Sequence, residues 1–324
     1  MSLRLSYRDG VEYRFGHAAP PRLQVKLGQR VTLETRDSFA GRLLDGALPV
    51  PESVPEMKRT PVELNPTTGP VFVEGVTAGD VLVVDIHRVS PVGPGFTCIA
   101  PETGPLARNA DWPLFLEPRV FRFEYGPRDG GQPELSALDG RLRFPLRPFV
   151  GTIGVAPEHE EESTVVGQGP WGGNLDVRDV APGNRIQLNA YHDGGLFFIG
   201  DMHAAQGDTE FFGTAAEASG EIELSFDVLP KRRVPFVRIE KPDAIVQLYC
   251  DRPLEEAVYA ATIHLMEWLR ADYGLSEEEA FLQVAVNPDF RINVYQCIRM
   301  GRLSFTVGAE LPKRSLPRPA AGHA

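Results

Sequence analysis

Residues 71–87 read VFVEGVTAGDVLVVDIH: two β-branched runs separated by Gly79-Asp80. Valine and isoleucine at this density, broken by a Gly-Asp turn, predict two strands joined as a hairpin. The same grammar recurs along the first 230 positions. Residues 21–27 (PRLQVKL) end at Gly28 and are followed by 30–36 (RVTLETR). Residues 185–191 and 196–201 flank Gly194-Gly195, and 221–229 (EIELSFDVL) alternates Ile222, Leu224 and Phe226 with polar partners. Turn-separated strands in such number predict a mainly β fold of sandwich or barrel type.

Composition agrees. The 324 residues include 32 glycines and 29 prolines, close to a fifth of the chain and without any repeat period. That excess excludes a mostly helical protein. Helix is expected late, where residues 253–273 place Leu254, Val258, Ala261, Leu265 and Leu269 at helical spacing. Asp251 is the expected cap, Gly274 the stop, and Ser276 with Glu279 opens a second helix through a capping box. The expected organisation is a β region over 1–230, an α+β region over 231–312 and a flexible tail over 313–324. Residues 90–146, dense in Pro and Gly, read as a variable loop-like excursion from the sheet.

A net charge of −11 removes the basic footprint of a nucleic-acid partner, and no apolar run is long enough for a membrane span. The first residues lack the apolar core of a signal peptide. Three cysteines, Cys98, Cys250 and Cys297, have no metal-site spacing and leave one unpaired, which suits inert thiols in a reducing compartment. The expectation is a cytoplasmic protein. No GxSxG elbow, P-loop, GxGxxG or HExxH occurs, so a covalent nucleophile has little support.

Residues 200–210, GDMHAAQGDTE, carry the chemistry. Asp201 and His203 stand two apart at the end of an apolar strand, on one face, and can close on one divalent ion. Gly207 allows a tight turn that returns Asp208 and Glu210 to the same neighbourhood, with Gln206 beside them. Ligands and a base within ten residues are what metal-assisted hydrolysis needs. A plain turn, with the carboxylates on backbone N–H groups, is the competing reading. Trp171–Asp176, WGGNLD, is the second candidate: Asn174 and Asp176 share a face and offer oxygen ligands, or else open a strand as an Asx-turn. Asp37, where a strand ends, reads by itself as a turn cap.

These stretches resemble the acetamidase/formamidase family. The resemblance rests on GGNLD, on GDMHAAQGDTE against GD-x-HAAQGDGE, on TGPVFVEGVTAGDVL, on FVGTIGVAP, and on YGLSEEEA followed by DFRI. It implies a jelly-roll-like β-sandwich with additional β-barrel-like and C-terminal α/β elements. It also implies hydrolysis of small linear amides, such as formamide or acetamide, to carboxylate and ammonia. The implied cofactor is a divalent metal, zinc first and calcium second, held by Asp201, His203, Asp37 and Asp176. Glu210, with Asp208, would be catalytic, and Asn174, Gly172, Gly173 and Gln206 would face substrate or oxyanion. Thr209 stands where the family has Gly, and Arg42 where Gln is frequent. A homodimer is expected. Two alternatives stay open: another amide, such as a lactam or carbamoyl compound, and a non-catalytic β-sandwich binding module that only holds metal.

Overall fold

The computed structural model describes residues 3–46, 63–107, 111–127 and 133–317. Most of the tail expected over 313–324 lies outside them, although Lys313–Ser315 forms a single 3-10 turn. Strands dominate, and hydrogen bonding joins eighteen of them into one curled, largely antiparallel sheet.

The stretch at 71–87 does contain two strands, Thr67–Glu74 and Val81–Ile99, but they are not a hairpin. Thr67–Glu74 pairs with Phe197–His203 and Leu23–Lys26, whereas Val81–Ile99 pairs with Glu217–Leu229 and Arg185–Asn189. The reason is visible in the side chains. Val71 and Val73 share one apolar cluster with Leu82, Val84 and Ile86, so both strands present valine and isoleucine to the same core from opposite walls. The turn between them therefore arches from one wall to the other. Residues 185–203 arch in the same way, and the two arches are locked together by Gly79 N to Ala190 O and Gly194 N to Val76 O, 2.9 Å each.

One wall contains Arg185–Asn189, Val81–Ile99, Glu217–Leu229 and Val31–Thr35. The other contains Leu23–Lys26, Thr67–Glu74, Phe197–His203, Phe149–Val155 and Gly172–Asn174. The walls join where Met202 pairs with Ala218 and His203 with Glu217. At this seam the sheet curls, and there the polar candidates of the sequence gather.

The described residues of 90–146 contain much more strand than a loop-like excursion would. Val81–Ile99 runs on past residue 90 and pairs with Arg119–Pro127, which pairs with Pro133–Ala137 and through it with Leu142–Pro145. Pro and Gly there fall within an edge meander, where a missing N–H is tolerated.

The helices lie where expected, Leu254–Tyr273 and Glu277–Ala285, ended by Gly274 at φ 72° and opened by the Ser276–Glu279 box. Asp251 does not cap the first helix; Pro253 occupies that position, and Asp251 Oδ1 accepts from Arg252 N instead. Ala257, Ala261, Leu265 and Leu269 pack on Ile245, Val307 and Leu311 of the sheet.

Candidate functional site

Five titratable side chains meet at the seam, all buried: Asp176, Asp201, His203, Glu210 and Glu217. Their possible ligand atoms form two close groups, Asp176–His203–Glu210 and Asp201–His203–Glu217, each within 4.8 Å, with the imidazole common to both. His203 Nε2 stands 3.3 Å from Asp201 Oδ1 and 3.2 Å from Glu217 Oε1. Phe149 packs edge-on against the ring at 4.8 Å.

The backbone works to bring them together. Asp176, Asp201 and Glu210 all adopt left-handed φ, at 52°, 55° and 52°. Such conformations cost about 1–3 kcal/mol each for non-glycine residues and collect at functional sites. Gly151 supplies the room: a Cβ there would lie 2.8 Å from both Asp176 Oδ1 and Asp201 Oδ2. Thr152 Oγ1 holds the next layer, 2.9 Å from Asn174 Oδ1 and 3.2 Å from Asp201 Oδ2, and accepts from Asn65 Nδ2 at 2.9 Å.

Electrostatics mark the cluster as incomplete by itself. Burial, reinforced by Asp201, raises the Asp176 carboxyl to about 8. Burial, then the Asp176 charge, holds Glu210 well above the usual carboxylate range, and burial also raises Glu217. His203 is raised despite burial, because Glu217 and Asp201 face it. Asp176 Oδ1, Asp201 Oδ1 and both His203 ring nitrogens are buried without a hydrogen bond. Buried polar atoms are ordinarily paired, so this set suits a cation.

The other expected residues separate by role. Asp37 is buried, but Oδ1 accepts from Phe39 N and Gly41 N at 3.0 Å and Oδ2 from Ser219, so it caps its own turn and is no ligand. Its neighbour Ser38 donates to Glu217 Oε2 at 2.7 Å. Asp208 turns away to Arg178, 3.1 Å distant. Asn174 is consumed by Thr152 and by donating to Val165 O. Gly172 and Gly173 lie inside the sheet between Phe149–Val155 and Gln168–Gly169, where a Cβ on Gly172 would stand 2.2 Å from Ile153 O. They permit strand packing rather than form an oxyanion hole. Gln206 stays at the site, donating to Glu210 Oε2 at 3.0 Å and to Asp176 O at 3.2 Å. Thr209 forms an isolated bridge with Gln296.

Glu217, Thr152 and Gly151 were not singled out from sequence. Glu217 lies beyond the stretch that carries Asp201 and His203, and only the cross-strand register with His203 gives it a place.

A cavity of about 1050 Å³ opens beside the cluster, and Glu210 and Gln206 line it. The three thiols take no part: burial raises Cys98 and Cys250 to about 12 and raises Cys297 as well.

A strained, buried His–carboxylate cluster that could hold a cation thus lies beside a cavity on a curled β scaffold. The chain belongs to the Acetamidase/Formamidase family, whose model it matches over residues 6–166 and 159–248. It is 26% identical over 262 residues to an acetamidase of Mycolicibacterium smegmatis, covering 65% of this chain and 64% of that one. A relative in Schizosaccharomyces pombe is 24% identical over 283 residues, 70% of this chain and 65% of the relative. The chain thus spans slightly less than two thirds of these relatives. Among solved structures, the acetamidase of Yersinia enterocolitica superposes with a TM-score of 0.82 at 28% identity, covering 97% of this chain and 92% of that one. No helix among the described residues is long and apolar enough to cross a membrane.

Proposed function

We propose that the protein is a metal-dependent amidohydrolase that cleaves the C–N bond of a linear primary amide to give carboxylate and ammonia. The observation that carries this reading is the buried cluster in which Asp176 Oδ1, Asp201 Oδ1 and both His203 nitrogens lack hydrogen bonds, placed against a cavity that Glu210 lines. Family membership supports the amide as substrate.

Asp176, Asp201 and His203, with Glu217 added by the strand pairing, are the residues that would hold the ion. An imidazole in both ligand groups favours zinc over calcium, which prefers an all-oxygen shell. When bound, such an ion polarises a carbonyl oxygen and acidifies water. Asp37 drops out of the ligand set, and Asp208 out of the catalytic pair.

Glu210 is the general base and acid. It alone of the cluster carboxylates faces the cavity, and its raised proton affinity suits it both to take the attacking water's proton and to return it to nitrogen. Amide nitrogen leaves only once protonated, so the second transfer matters as much as the first. Gln206 holds the Glu210 carboxylate in line from the cavity side. Family membership, together with Glu210 on the cavity wall, favours an enzyme over a metal-holding binding module. The protein would work in the cytoplasm as a homodimer.

Glu210→Gln keeps the size and the contact with Gln206. The expected outcome is a kcat at least a hundredfold lower in an ammonia-release assay, with KM little changed. A kcat within threefold of the parent removes Glu210 from the proton-transfer role.

A further inference from the structure

The cavity is far larger than formamide or acetamide requires. Scaling from roughly 30 Å³ per heavy atom in water, acetamide would occupy about a tenth of the 1050 Å³. One part of its wall is apolar, while Arg147, Arg178 and Asp179 line another. Phe123, Leu135 and Phe144 come from the edge meander, and Phe211, Ala215 and Ala216 from the segment after Glu210. The meander is fixed to the site. Phe123, Leu135 and Ala137 pack on Ala204, Ala216 and Ala218, the residues flanking His203 and Glu217, and Tyr125 Oη donates to Glu217 O at 2.9 Å. Ala205, Ala215 and Ala216 line the cavity, and their small side chains leave it room. Phe144 and Phe211 are 47% and 40% exposed, large apolar residues that keep open surface at the cavity.

Resting on the amidohydrolase reading above, we propose that the substrate is a primary amide with a bulky apolar acyl group, of arylacetamide or medium-chain aliphatic type, rather than formamide or acetamide. The carboxamide reaches Glu210 and Gln206 at the floor, and the acyl group lies against Phe123, Leu135 and Phe144. Water adds to the carbonyl carbon and the C–N bond breaks. R–CO–NH₂ and H₂O thereby become R–COO⁻ and NH₄⁺, with the nitrogen's proton delivered through Glu210. Burying a phenyl group against such a wall is worth a tenfold preference or more.

The test measures ammonia release by the full chain with zinc added, across formamide, acetamide, butyramide and phenylacetamide. Alongside it, equilibrium binding of acetamide and phenylacetamide to Glu210→Gln is measured by calorimetry. The inference expects kcat/KM at least tenfold higher for phenylacetamide than for acetamide, and binding tighter by a similar factor. In Phe144→Ala, altered at the proposed acyl wall, the preference for phenylacetamide over acetamide in kcat/KM should fall severalfold. Hydrolysis of acetamide equal to or better than phenylacetamide, with equal binding, overturns the inference and leaves the amidohydrolase reading intact. Tighter binding of phenylacetamide with no ammonia from any amide supports the cavity assignment and overturns the amidohydrolase reading. No turnover and no preference in binding overturns both.

Discussion

Three acidic residues of the site, Asp176, Asp201 and Glu210, sit in backbone conformations that side chains ordinarily avoid, and their carboxyls crowd one buried imidazole. A chain tolerates this only where the surroundings fix it and a ligand offsets it. Burial makes the Asp176, Glu210 and Glu217 carboxyls hold their protons more tightly, and Asp176, raised to about 8, retains one at pH 7 in the metal-free chain. A divalent ion must displace them, so its uptake at pH 7 should release at least one proton and its affinity should rise from pH 6 to pH 8. Calorimetry in buffers of different ionisation enthalpy reads both; proton-neutral binding would contradict the account. Gly151 gives a second handle. Gly151→Ala puts a methyl 2.8 Å from two carboxylate oxygens, and should cost metal affinity tenfold or more while the far-ultraviolet circular dichroism stays that of the parent.

The elements that set these residues in place are arches, held by turns that a sequence shows without showing their direction. Asp80 is the clearest case. Its carboxylate accepts from Thr77 N at 2.8 Å, Thr77 Oγ1 at 2.9 Å and Lys231 N at 2.9 Å. Burial alone would raise its pKa, but these bonds outweigh burial and hold it below the usual value. A depressed carboxyl contributes stability above its unfolded pKa and loses it as pH falls through the folded one. Asp80→Ala should therefore cost about 2–3 kcal/mol in urea denaturation at pH 7, and clearly less near pH 3. A pH-independent loss would assign Asp80 a different role. The turn residues Gly79-Asp80 and Gly194-Gly195 are plain in the sequence, as are the strands beside them. Which strand each partner meets is not, because valines at 71 and 84 satisfy a hairpin face and a facing-wall core equally well until the third dimension decides. The same limit hid Glu217, fourteen positions from His203 and opposite it across the sheet, whereas Asp201 and His203, two apart, were legible at once. Asp37 shows the converse: an acidic residue at a strand end fits a motif, but the turn it closes uses its oxygens.

At the scale of the molecule, the seam between the two walls gathers the site, and the edge meander over residues 119–146 turns it into a cavity. The account's central claim is that this cluster works through a bound divalent ion. It is tested most directly by metal analysis of the purified chain together with ammonia release from primary amides before exhaustive chelation, after it, and after zinc is returned. The account predicts about one ion per chain, activity reduced at least a hundredfold on its removal, and recovery on its return. Full ammonia release from a chain stripped of metal would contradict it.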